Sequence, residues 1–330
     1  MQLVVYVRGG LGDVWPAFSA IWPIMVKNKI KKQDVFVITD SVYYFRAHPP
    51  KLAEFSLRMC EKISPNIVMV PVELNDNFRL TVDDVTNELS QENADKNKRE
   101  FMFWRPKELK DFVKMQLGPD TIFIDALFTE CIMEWDFKNS IYKRVGNERC
   151  SCEFNPSFIE RAWVDQLLKT YPKHVLVHVR KKNEGDAVTQ TDEYYSKILT
   201  WCGNNGITPI LIGADDIKLP KGISLINIKG TNALTFETMG YLISKCNVML
   251  GNDSGFSSIK LYQQQKHELI IMDYPRWERS PWYFRSIGNP MEKSNYLLLN
   301  ANEYNIDRIT GAIDGWYEEN PVEVKNESTN

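Results

Sequence analysis

Histidine is scarce in this sequence and cysteine is scattered. The chain holds four histidines (His48, His174, His178 and His267) and six cysteines (Cys60, Cys131, Cys150, Cys152, Cys202 and Cys246). No CxxC pair and no zinc-ligand spacing can be drawn from them. Cys150-Ser151-Cys152 is too tight for an ordinary disulfide. Isolated thiols fit a reducing compartment, so the expectation is a cytoplasmic protein. Acidic clusters are missing as well, which argues against a multi-carboxylate metal site, and no metal is assigned.

Excess charge of either sign is also missing. Forty Lys and Arg stand against 43 Asp and Glu, a net charge of −3. The balance is even in both halves, which disfavours a generic polyanion or membrane binder. Long apolar runs are absent. The opening residues 1–7 lack a positively charged n-region and are far too short to span a bilayer, so neither a targeting nor a transmembrane segment is expected. No nucleophile elbow, HExxH, Walker A or Ser-His-Asp order can be read.

What is present is an alternation of strands and helices. The length of 330 residues suggests two domains. Apolar residues at 43% and charged residues at 25% fit a soluble globular chain. Residues 3–7 form a β-branched run, a glycine loop follows, and residues 14–26 carry apolar residues at helical spacing. That is the first half of a βαβ unit. Further strands are expected at 35–39, 67–72 and 121–124, with helices near 50–63 and 107–117. Residues 75–100 read as a polar loop with a frayed helix. From Asn155-Pro156 the pattern restarts. Helices are expected to about 171 and at 192–205, 234–246, 254–265 and 304–316. Strands are expected at 174–179, 208–212, 223–228, 247–250 and 269–272. The division is therefore 1–155 and 156–330, two α/β parallel-sheet domains, with the last helix open to packing back on the first.

Five segments could carry chemistry. In Gly9-Gly10-Leu11-Gly12-Asp13 the glycines let the backbone approach a ligand at a helix N-terminus. Asp13 either faces that ligand or caps its helix. Gly251-Asn252-Asp253-Ser254-Gly255 repeats the arrangement. There the N–H groups of Ser254, Gly255 and Phe256 meet an anion, Ser257 and Ser258 add hydroxyls, and Asp253 contacts the ligand or caps its helix. The strand 174–179 runs into Arg180, Lys181 and Lys182, a diphosphate clamp or a solvated basic turn. His178, out of phase with Val177 and Val179, lines the core or the crevice. In Ile212-Gly213-Ala214-Asp215-Asp216 a strand runs into Gly213 and two acids, Asp215 and Asp216, which suit a nucleotide edge or a ribose diol, or form a simple acidic turn. The stretch from Tyr274 to Arg285, with Trp277, Arg279 and Trp282, either stacks on an acceptor or seals a hinge.

Taken in order, these motifs resemble the GT-B glycosyltransferases, most nearly the ADP-heptose:lipopolysaccharide heptosyltransferase-like family. Gly10-Leu11-Gly12-Asp13 matches its first loop, Asp253-Ser254-Gly255 its late turn, and His178 to Lys182 its basic strand end. The chain departs from that family at Ser258, where a histidine is usual, and lacks its Lys-Trp-Pro-like run. The resemblance implies two Rossmann-like domains facing across a cleft and inverting, metal-independent transfer of a sugar. Asp13 would be the general base. Arg180, Lys181, Ser254, Gly255 and Phe256 would hold the donor diphosphate. Gly10, Gly12, Gly213, Asp216, Asp253 and Ser257 would line the nucleotide sugar, and Trp277, Arg279 and Trp282 the acceptor. The donor would be a nucleoside-diphosphate sugar, with no further cofactor. The acceptor would be a glycan or lipid-linked saccharide. Alternatives are a glycosyltransferase acting on hydroxymethylated viral DNA, a nucleotide-sugar epimerase and a non-catalytic sugar- or nucleotide-binding module.

Overall fold

The computed structural model of the chain describes residues 1–7, 25–26, 28–39, 55, 58–62, 64–69, 79–80, 103–104, 106–125, 153–180, 191–213, 215–229, 234–252, 255–262, 268–273, 295–299 and 306–322. Two compact units emerge, one built on Met1–Cys152, the other on Glu153–Pro281 and Pro290–Asn330.

In the first unit, strands β1 (Leu3–Val7), β2 (Val35–Thr39), β3 (Asn66–Met69) and β6 (Ile122–Asp125) form a parallel sheet in the order β3-β2-β1-β6. Strands β4 (Arg79–Leu80) and β5 (Phe103–Trp104) pair antiparallel apart from it. Helix α1 (Pro106–Leu117) leads into β6 and inserts Val113 against Val4, Tyr6 and Ile38. The strand order reverses between β1 and β6, so the carboxyl end of β1 at Val7 lies at a topological switch point. The glycine loop that follows in sequence, with Gly10, Gly12 and Asp13, lies outside the described residues.

The second unit opens with helix α2 (Phe158–Thr170). A capping box starts it: the Ser157 side chain accepts from the Glu160 N–H, and the Glu160 carboxylate accepts from the Ser157 N–H. Then follow β7 (His174–Val179), α3 (Asp192–Asn204), β8 (Thr208–Gly213), β9 (Ile226–Asn227), α4 (Phe236–Lys245), β10 (Val248–Asn252), α5 (Gly255–Tyr262), β11 (Leu269–Asp273), β12 (Asn295–Leu299) and α6 (Ile306–Glu319). The sheet order is β12-β11-β10-β7-β8-β9, parallel throughout. This is the doubly wound order, with its switch point between β7 and β10. All six residues of β7 are buried, as a central parallel strand covered on both faces requires.

Val175, Val177 and Val179 of β7 share one core with Tyr195, Ile198 and Leu199 of α3 and with Ile309, Ile313 and Trp316 of α6. The last helix, for which the sequence leaves a return to the first unit open, thus buries its apolar face in the second. Tyr317 ties it there, because its hydroxyl donates to the His174 carbonyl and accepts the His174 N–H. Lys260 and Glu268, both wholly buried, pair at 2.5 Å. Glu268 immediately precedes β11, so this pair lies at the amino end of the sheet, opposite the strand ends that face the switch point.

Several elements differ from the sequence expectation. β9 keeps two residues of the six expected at 223–228, because it is an edge strand paired only with β8. β12 has no counterpart among the expected strands, and it pairs with β11 at the edge of the sheet. Arg79–Leu80 is a strand within the segment read as polar loop, since its partner lies more than twenty residues away in sequence. Of the helix expected at 14–26 only Met25 and Val26 are described, and both are helical.

Candidate functional site

The carboxyl ends of β8, β7 and β10 lie side by side in the second unit, and three local features hold them. At β8, Gly213 pairs with Val179 and turns at φ +110, a conformation that favours glycine. A Cβ there would stand 2.2 Å from the Val179 carbonyl oxygen, so the backbone passes directly over the end of β7. At β10, a Cβ on Gly251 would stand 2.5 Å from Ser257 Oγ and 3.8 Å from His178 Cβ. Two glycines therefore flank β7 on both sides, and the His178 side chain occupies the space between them.

The His178 imidazole is buried and packs edge-on against Phe256, with ring centroids 5.0 Å apart at 76°. Phe256 is the second residue of α5. The ring thus supports the first turn of the helix from below. Backbone N–H groups in that turn have no partner within the helix, and the aligned peptides add partial positive charge. Gly255 is half-buried there, while Ser257 is wholly buried with its hydroxyl against Gly251 rather than at the surface.

Arg180 leaves β7 at the same point and is exposed. Its backbone is fixed from α3: its N–H donates to the Tyr195 hydroxyl at 3.1 Å. That hydroxyl also reaches the carbonyls of His178 and Arg180, each at 3.4 Å. Tyr195 is buried, so this clamp is shielded from water. Arg180 and the start of α5 thus follow the carboxyl ends of two neighbouring strands, β7 and β10, on either side of the switch point.

One strand further on, Asp216 stands exposed beyond β8, with its carboxylate 3.6 Å from the ammonium of Lys229. The structure thus brings Arg180, Gly213, Gly251, Gly255, Phe256 and Ser257 to adjoining strand ends and places Asp216 beside them. Lys181, Asp253 and Ser254 lie outside the described residues, as do Trp277, Arg279 and Trp282. Sequence reasoning missed Tyr195 and Lys229. Tyr195 carries no local signal, since its role depends on where α3 crosses β7. Lys229 follows a weak edge strand and looks like any surface lysine. Among the described residues, no cluster of His, Cys, Asp and Glu could hold a metal ion, and no helix is long and apolar enough to cross a membrane.

No family model and no curated protein sequence matches the chain. Solved structures do. The glycosyl transferase family 9 protein from Veillonella parvula aligns with 96% of this chain and 97% of its own, at 12% identity and a TM-score of 0.54. The E. coli ADP-heptose LPS heptosyltransferase II aligns with 97% and 99%, at 12% identity and a TM-score of 0.53. At that identity the likeness is one of fold, and it agrees with the resemblance carried by the sequence motifs: the chain has the two-sheet α/β fold of these glycosyltransferases, the GT-B type.

Proposed function

We propose that the protein is a glycosyltransferase that moves a sugar from a nucleoside-diphosphate sugar to an acceptor hydroxyl, with inversion and without a metal ion. The observation that carries this is the convergence of Arg180 and the α5 N-terminus at the β7–β10 switch point. A leaving diphosphate gains negative charge as the glycosidic bond breaks. Fixed N–H dipoles at Gly255 and Phe256 and the Arg180 guanidinium stabilise that charge where it grows, and they need no reorganisation. Lys181 and Ser254 would add donors at the same place. Gly213, Asp216, Asp253 and Ser257 would surround the nucleotide sugar.

Asp13 would take the proton of the attacking hydroxyl. A positioned carboxylate within about 3 Å of it supplies roughly 10²–10⁴-fold. Gly10 and Gly12 would let the backbone come close. Trp277, Arg279 and Trp282 would stack on and orient the acceptor, a glycan or a lipid-linked saccharide. Balanced charge supports a saccharide acceptor over DNA.

The test is a thermal-shift panel of nucleoside diphosphates, followed by transfer assays with the nucleotide sugar of the best binder. A ligand at 100 times its Kd stabilises by about 2.7 kcal/mol. A chain that no nucleoside diphosphate stabilises is not this enzyme. Asp13→Ala should abolish transfer while donor binding survives. Turnover should persist in EDTA, and the product anomer should be inverted.

A further inference from the structure

Two charges lie where the proposed chemistry has no use for them. Lys260, in the second turn of α5, and Glu268, just before β11, are both wholly buried, and the ammonium stands 2.5 Å from the carboxylate. The ammonium is also near enough to His174 and Cys246 for its charge to bear on both. It therefore sits among the residues at the amino ends of β7, β10 and β11. A buried ion pair is a poor source of stability. Stripping water from both charges costs about what their attraction returns, and an apolar pair of similar volume does as well or better. What such a pair supplies is exclusiveness: moving one member out of reach leaves an uncompensated charge in the core, which is strongly unfavourable. The apolar contacts of α5 lack this property. Phe256 rests edge-on against His178 and Ile259 is buried, but apolar burial is non-directional and tolerates a shift. With only eight residues, α5 has little to hold its own register. A step of one residue would turn Lys260 through about 100° and carry it about 1.5 Å along the axis, away from Glu268.

We propose that Lys260 and Glu268 are positioning residues that lock α5 in one register, so that its first turn, at Gly255 and Phe256, stands fixed beside the carboxyl end of β10. The lock acts from the amino side of the sheet, about 7.5 Å along the helix axis from Gly255. Neither residue touches a ligand. The consequence for ligand affinity rests on the donor reading given above; the consequence for α5 itself does not.

The experiment replaces both charges at once, Lys260→Met with Glu268→Leu, in the full chain. Urea unfolding should give a midpoint no lower than the parent's, because the charges do not hold the fold up. Hydrogen exchange followed by mass spectrometry should quicken about tenfold at the α5 amides and keep the parent rate in α2 and α3. Calorimetry with ADP and UDP should find affinity about threefold to tenfold weaker, the weight of a helix N-terminus no longer aimed. A pair that merely supports the fold behaves otherwise. Parent-level protection of α5, or exchange that quickens equally in every element, overturns the inference. So does a double variant that fails to fold, since the pair would then supply stability and not register. Faster exchange in α5 with unchanged affinity overturns the link to the ligand. If neither ADP nor UDP binds the parent, the donor reading fails, and exchange in α5 still decides the lock.

Discussion

The hydroxyl of Tyr195 accepts the backbone N–H of Arg180 at 3.1 Å, reaching from the first turn of α3 to the residue that follows β7. The bond decides where the guanidinium leaves the sheet. Tyr195→Phe keeps the ring and its packing against Tyr194 but removes the acceptor. A partly buried N–H left without its partner costs about 1–3 kcal/mol. The expected outcome is a matching loss of stability in denaturant. Affinity for the best-binding nucleoside diphosphate should fall about threefold to tenfold in calorimetry, because Arg180 is no longer aimed.

The glycines at the neighbouring strand ends are there for close approach, and the two should respond differently to a second substitution. Gly251→Ala meets Ser257 Oγ at 2.5 Å. Removing that oxygen with Ser257→Ala should recover part of the lost stability. Gly213→Ala meets the Val179 backbone at 2.2 Å and adopts a φ of +110, so no side-chain change relieves it. Each single change should cost about 1–3 kcal/mol. A double-mutant cycle in urea should show coupling between 251 and 257 and none between 213 and 257.

Much of this site was legible in the sequence, for a definite reason. Central strands such as His174–Val179 are buried on both faces and read as continuous apolar runs, so the order of strands and loops follows from composition. The out-of-phase His178 reads as lining the core or the crevice, and its ring is buried against Phe256. The edges were not legible. Ile226–Asn227 and Asn295–Leu299 are strands because of the neighbours they pair with, and their own residues say little. The Ser157–Glu160 capping box is a local signal that was there to be read, and it starts α2 after Pro156 instead of at it. Lys229 could not be found at all, because its burial depends on a loop from another strand folding over it.

The buried thiols should be inert. Burial pushes both Cys202 and Cys246 up to about 12. Thiolate is the reactive form, and at neutral pH neither residue supplies a useful fraction of it. Peptide mapping after brief treatment with a thiol reagent should find both unmodified in the native protein and both modified in denaturant. Labelling of either one at the native rate of a free thiol would contradict their place in the second unit's core.

Acid should destabilise the protein in two stages, set by different residues. His174 is held below its ordinary 6.5 mainly by burial. Its Nδ1 lies 2.8 Å from the Tyr171 carbonyl, which can only accept, so Nδ1 carries the proton and Nε2 stays bare in the interior. The unfolded chain binds a proton there that the folded chain refuses, so stability falls as pH drops below about 6.5. Glu160 behaves in the usual carboxylate sense. Hydrogen bonds with the side chains of Ser157 and Thr238, then with the Ser157 backbone and Thr235, lower it from 4.5 to about 2. Its contribution is complete above 4.5 and disappears as pH falls toward 2. Urea midpoints measured from pH 8 to pH 2 should therefore decline in both windows. His174→Asn, which can still donate to Tyr171, should flatten the upper stage and leave the lower one. Glu160→Gln should do the reverse, and a variant that flattened both would mean that the two stages share one cause.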